Sequence, residues 1–133
     1  MVNKVFLGGT CNGSRWRDKL IPMLTVNYFN PVVEDWTPEC QKEEIWQKSI
    51  ICDIHLYVIT PKMKGVFSIA EAIESVMTEE KKCVFCILGV DGNEEFDKAQ
   101  IKSLEAVGSM VERHGGIWVK HFDDLPQIIN KIQ

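Results

Sequence analysis

The chain has 133 residues, 26% of them charged, and a formal net charge of −4 at neutral pH. That length suits a single domain over residues 1–133, able to bury a core without staples, and Lys and Arg scattered among Asp and Glu form no basic stripe for a nucleic-acid polymer. No apolar run reaches the roughly 18 residues that a membrane helix needs, and five cysteines without a recognisable signal peptide point to reduced thiols in a cytoplasmic setting.

Val2 to Leu7 reads as a first strand that stops at Gly8-Gly9-Thr10, and a polar turn through Asn12-Gly13-Ser14 leads into a helix from about Arg15 to Thr25. Asn27 to Val33 supplies a short second strand, interrupted at Pro31. Thr37 suits an N-cap, with Pro38 at the first helical position, where its missing N–H costs nothing; that helix runs to about Ile51. Ile54 to Ile59 is the third strand, followed by a loop from Pro61 to Val66 and a helix over Ser68 to Met77. Cys83 to Val90 forms the fourth strand. After a turn at Asp91-Gly92-Asn93, a long helix from Glu94 to His114 places Ile101, Leu104, Val107 and Val111 at helical spacing and ends at Gly115-Gly116. Ile117 to Val119 is a fifth strand, and Asp123 or Asp124 caps a last helix through Ile132. Five strands alternating with helices predict an α/β fold, a flavodoxin- or Rossmann-like three-layer sandwich with a five-stranded parallel sheet and right-handed crossovers.

The segment Asp53 to Val76 is the richest in chemistry: an apolar strand, a flexible turn and a helix bearing Glu71 and Glu74. In an open α/β sheet such a junction lies where ligands bind. Glu71 has two readings. Ser68-Ile-Ala-Glu71 fits a capping box, in which the glutamate reaches back to the N-cap amide; alternatively Glu71 offers its carboxylate to a ligand. Both leave it off the core, since Ile69, Ala72, Ile73 and Val76 mark the buried stripe and exclude Glu71, Glu74 and Ser75. Gly8-Gly9-Thr10 likewise reads either as a tight turn using positive φ or as a place where backbone approaches a ligand ahead of a helix N-terminus. Glu43 and Glu44 fit a solvated helix face, and Asp53 can cap or pair at the start of its strand. Cys83-Val-Phe-Cys86 has the spacing of a redox or zinc pair but sits in an apolar strand, which favours buried thiols. The three histidines show no metal spacing, so neither metal nor cofactor is assigned. Of the four tryptophans most should be core; Trp36, in a loop beside Glu34 and Asp35, is the one placed to stack on a base.

Taken together, Lys4 to Ser14, Asn30-Pro31 through Asp35-Trp36, and Asp53 to Pro61 followed by Ser68-Ile-Ala-Glu71 resemble the nucleoside 2-deoxyribosyltransferase-like family, including its 2′-deoxynucleoside 5′-phosphate N-hydrolase branch, over roughly residues 4 to 76. The resemblance implies a small-molecule nucleoside or nucleotide substrate, a homo-oligomer, and cleavage or transfer at the N-glycosidic bond with Glu71 as nucleophile. By the same resemblance Glu44 is the candidate second acid, and Asp53 belongs to the catalytic set. Phe6, Gly8, Gly9 and Thr10 would lie against the sugar, Asn12, Ser14 and Arg15 near a 5′-phosphate, and Asp35, Trp36 and Ser68 on the substrate side. The family often carries a Tyr where this chain has Phe6, and often a Gly where it has Ile73. Two alternatives stand beside this reading: a nucleotide or sugar-nucleotide binding module without turnover, and a glycohydrolase of NAD-type dinucleotides.

Overall fold

A computed structural model describes residues 3–132; Val2, where the predicted first strand begins, and the two ends of the predicted 1–133 domain lie outside the described residues. In chain order the elements are β1 (Lys4–Gly9), α1 (Trp16–Leu20), β2 (Asn27–Phe29), α2 (Pro38–Trp46), β3 (Ile54–Ile59), α3 (Phe67–Val76), β4 (Lys82–Ile87), β5 (Val90–Asp91), β6 (Glu94–Glu95), α4 (Lys98–Arg113), β7 (Ile117–Val119) and α5 (Leu125–Asn130). Five of the strands form one all-parallel sheet in the order β2-β1-β3-β4-β7, and β5 and β6 pair as a separate antiparallel hairpin. The three-layer α/β fold is therefore as expected.

Period-two alternation along the strands builds a core on each face. Val5, Leu7, Ile54, Leu56, Val58, Val84 and Cys86 pack with Trp16 and Leu20 of α1 and Leu125 and Ile129 of α5. The alternate residues Phe6, Tyr57, Ile59, Cys83 and Phe85 pack with Ala72 of α3 and Leu104 and Val111 of α4. Every residue of β3 is buried, as a central parallel strand with helices on both faces requires. Cys83 and Cys86, three apart in a strand, fall in opposite cores and are free buried thiols.

Several boundaries differ from the sequence reading, each for a local reason. β1 continues through Gly8 and Gly9, which pair with Tyr57 and Val58. The first helix stops at Leu20 and tightens into a 3₁₀ turn over Ile21–Met23, where Pro22 cannot donate to an α-helical ladder. β2 ends at Phe29 rather than Val33, just before Asn30-Pro31. Thr37 does cap α2, its Oγ1 accepting from the Cys40 amide at 3.2 Å, and a π-helical turn over Gln47–Ile51 carries the helix to its expected end. β4 ends at Ile87, and Glu94-Glu95 joins the hairpin instead of opening a helix. α4 begins at Lys98, capped by Asp97 in a reciprocal box with Gln100 that the sequence reading passed over. Gly115, at φ +94°, ends it as expected. No aspartate side chain caps α5. Of the tryptophans Trp16 is fully buried while Trp36 and Trp46 are exposed, so the expectation that most lie in the core fails.

Candidate active site

The sheet order turns back between β1 and β3, and in this architecture the crevice outside the carboxyl ends of those two strands receives ligands. On the β1 side Gly9 has φ +114°, and a Cβ there would lie 2.1 Å from the Val58 carbonyl oxygen, so the backbone closes against β3 in a way only glycine permits. A Cβ on Gly8 would meet the Tyr57 ring at 2.6 Å. The turn is tied down by Arg17, whose guanidinium donates to the carbonyls of Leu7 (2.9 Å), Thr10 (2.8 Å) and Gly9 (3.3 Å) and stacks on Trp16. Its burial lowers the Arg17 pKa, opposed by the nearby Cys11 and Glu44. Thr10 is also occupied within the protein: its Oγ1 accepts from the Thr60 amide at 3.0 Å.

On the β3 side the chain leaves Ile59, passes through a loop and enters α3. The N-cap is Val66, without a side-chain cap bond, so Ser68 lies inside the helix and the Ser68–Glu71 capping box is not formed. Glu71 is buried rather than off the core, and its carboxylate accepts instead from the Lys48 ammonium at 2.7 Å. Ser75, one turn further on and also expected to lie off the core, is buried too. Its hydroxyl lies 2.7 Å from His55 Nδ1 and 2.8 Å from the Tyr57 hydroxyl. His55 Nε2 faces the carbonyls of Lys48 (2.7 Å) and Cys52 (3.2 Å), which only accept, so Nε2 carries the proton and Nδ1 accepts from Ser75. Burial lowers the His55 pKa to about 4, and this network is satisfied by the neutral ring. Burial likewise raises the Tyr57 hydroxyl, which stays protonated and donates to Ser75.

Between these two sides lies a cavity of about 310 Å³ whose walls include Gly8, Gly9, Arg17, Glu44, Ser68 and Glu71. That volume is at the lower end for a small-molecule site. Phe6, Pro31, Val32, Val33, Trp36 and Phe67 supply its apolar surface. The Glu44 pKa is raised, first by burial and then by the charge of Glu71, against the pull of Lys48 and Arg17. A smaller space of about 150 Å³ adjoins it, sharing Gly9, Cys11, Phe67 and Ser68 and adding Thr10, Asn12 and Lys64.

Among the sequence-derived candidates, Phe6, Gly8, Gly9, Trp36, Glu44, Ser68 and Glu71 therefore meet in one cavity, and Thr10 and Asn12 line its annexe. Four do not. Asp53 sits at the opposite, amino-terminal edge of the sheet, its carboxylate accepting from the Lys4 amide at 2.9 Å; it caps rather than joins the site. Ser14 donates to Asp91 at 2.6 Å, and Arg15 is an exposed partner of Asp18. Asp35 is exposed, one residue away from the wall that Trp36 forms. Arg17, Lys48 and Phe67 were missed. Nothing in the sequence marks Arg17 or Lys48, because their positions depend on how helices return to the sheet. Val32 and Val33 fall inside the stretch from Asn30 to Trp36 that the resemblance marks as substrate-side, although the strand reading ran β2 through them.

A family model described as "Nucleoside 2-deoxyribosyltransferase like" matches residues 2–90, the span that holds every wall of this cavity. No curated protein matches the chain at a significant level.

Proposed function

The chain belongs to the nucleoside 2-deoxyribosyltransferase-like family, and from that premise we propose that it cleaves or transfers at the N-glycosidic bond of 2′-deoxynucleosides or their nucleotides, with Glu71 as nucleophile. The observation that carries this reading is the pairing of two carboxylates on one cavity, Glu71 held by a cation and Glu44 with its pKa raised. In retaining glycosidases one carboxylate attacks while a second, kept protonated by its surroundings, delivers the proton to the leaving group. Here a Glu71 oxygen bonds to the anomeric carbon as the bond to the base breaks, and Glu44 gives its proton to the departing base. Water or a second base then attacks the same carbon, releases Glu71, and returns a proton to Glu44. The apolar wall of Val32, Val33, Trp36 and Phe67 suits the flat base, and the glycine turn suits the sugar. Asp53 is left out of the reaction.

A second reading is a binding module without turnover. Phe6 favours it, because a buried phenyl ring stacked on Phe29 has no hydroxyl to offer the nucleophile. Incubating the protein with deoxynucleosides, deoxynucleotides and NAD and chromatographing the released base separates these readings. Base from a deoxynucleoside or deoxynucleotide supports glycosidic cleavage, release of nicotinamide from NAD alone supports a dinucleotide glycohydrolase, and no release from any of them supports the binding module.

The same reading includes a homo-oligomer in a reducing, cytoplasmic setting. Ile45, Trp46 and Ile50 stand exposed on α2 and the turn after it, apolar surface that a second copy would cover. All five cysteines are free, and among the described residues no helix is long and apolar enough to cross a membrane. Light scattering should show a species at least twice 15.2 kDa at micromolar concentration; a 15.2 kDa species alone would refute the oligomer.

A further inference from the structure

Lys48 stands out among the cavity's surroundings. It lies on the π-helical turn Gln47–Ile51, a local departure from α geometry of the kind that often re-aims a side chain at a functional site. Its ammonium reaches Glu71 at 2.7 Å and the exposed Glu74 at 3.6 Å, and the Lys48 and Glu71 side chains retain only 15% and 9% of their exposure. The main chain of the same residue is fixed independently. His55, rooted in β3, donates to the Lys48 carbonyl through Nε2 and accepts from Ser75 of α3 through Nδ1. One imidazole thus spans the two elements that carry Lys48 and Glu71, and sets their separation from the sheet below. Phe6 contributes no polar contact on its side.

We propose that Lys48 is the positioning residue of this site, holding one oxygen of the Glu71 carboxylate so that the other faces the anomeric carbon. The inference rests on the glycosidic reading of Glu71 given above. A charge-assisted bond to one oxygen fixes the χ angles of a side chain that would otherwise sample several rotamers. It also leaves the second oxygen free to attack, and it stabilises the carboxylate again when the glycosyl bond to Glu71 breaks in the second step. Lys48 does not touch the substrate in this scheme.

The test compares Lys48→Met, Lys48→Arg and Glu74→Gln on a deoxynucleoside that the wild type cleaves. Lys48→Met should lower kcat by roughly 10²-fold, the order of loss that follows misplacement of a reacting group, with KM within about threefold of wild type, the split expected when ground-state binding is untouched. Lys48→Arg keeps a cation within reach and should recover kcat to within about tenfold. Glu74→Gln removes an exposed pair and should leave both constants unchanged. Crystal structures of wild type and Lys48→Met supply a readout that needs no turnover: the Glu71 carboxylate should leave its place in the variant. A wild-type kcat in Lys48→Met, or an unmoved Glu71 carboxylate, would overturn the proposal. Failure of the glycosidic reading has a different signature, a wild type that releases no base or a Glu71→Gln variant that still does; the catalytic role of Lys48 falls with it, while the crystallographic comparison separately decides whether Lys48 holds the Glu71 carboxylate in place.

Discussion

The two walls of the cavity are built differently. The inner wall, formed by the Gly8-Gly9 turn and by Ser68 and Glu71 of α3, is tied by Arg17 to three carbonyls and by Lys48, on the π-helical turn behind it, to Glu71, and His55 bonds to both Ser75 and Lys48. Among the described residues no buried side-chain N or O lacks a hydrogen-bond partner. The outer wall, from Pro31 to Trp36 with Phe67, is apolar and open, and α2 beside it buries none of its own residues. The difference follows the division of labour in a catalyst. The nucleophile must be held to within a fraction of an ångström before the substrate arrives, whereas an apolar surface that grips a flat ring tolerates adjustment; Glu44, the proposed acid, reaches the cavity from α2.

The largest expected effect lies at the centre of the inner wall. Glu71→Gln keeps an oxygen that accepts from Lys48 but removes the nucleophilic charge, and base release should fall by several orders of magnitude while the melting temperature stays close to wild type. Glu74→Gln, one turn along the same face and exposed, is the control. Near-wild-type release by Glu71→Gln would remove the nucleophile from this side altogether.

Stability should divide the walls in the same way. Gly9→Ala forces a side chain into φ +114° and a 2.1 Å approach to Val58, and should cost about 3 kcal/mol or more in denaturant unfolding. Val32→Ala, at a half-exposed position, should cost about 0.5 kcal/mol or less. Equal losses would show that the outer wall is as firmly built as the inner one.

His55 gives the inner wall a pH dependence. Its pKa in the folded protein is lowered to about 4 from the ordinary 6.5, so the unfolded chain binds the extra proton first. The neutral ring's contribution is therefore complete above pH 6.5 and is lost as pH falls from 6.5 toward 4, amounting to about 3 kcal/mol. Lys48 and Lys81 act in the same direction as burial. Unfolding free energies of wild type and His55→Gln, measured at pH 7 and pH 4, should draw together by about that amount on acidification, because titrating carboxylates common to both cancel. A pH-independent difference would mean that His55 titrates normally.

The comparison also explains what could be read from the sequence. The sheet was legible because β3 and β7 are short apolar runs bounded by turn residues, and Thr37-Pro38 and Gly115 punctuate their helices by local chemistry. Glu71 and the glycine turn were legible because both stand at strand–helix junctions. The capping-box reading failed because the helix begins one residue earlier, at Phe67, and Lys48 offers Glu71 a stronger partner than an amide. Arg17 and Lys48 act across separations set by the fold, 8 residues from Arg17 to Gly9 and 23 from Lys48 to Glu71, and periodicity carries no information about such pairs. Asp53 misled because the start of β3 is near Glu71 in sequence order but lies at the far edge of the sheet.

The smallest effect should come from the outer wall's most prominent side chain. Trp36 is 60% exposed and lines the cavity, so Trp36→Ala should change stability by no more than about 0.5 kcal/mol. Loss of base–aromatic stacking is worth about 1–3 kcal/mol, and a contact made equally in ground and transition states is lost from KM alone. KM for a deoxynucleoside should therefore rise by roughly tenfold with kcat within about twofold of wild type, and Trp36→Phe, which keeps a ring face, should recover most of the loss. A fall in kcat at constant KM would show that Trp36 acts on the reacting bond, and the separation between a wall that reacts and a wall that recognises would not hold.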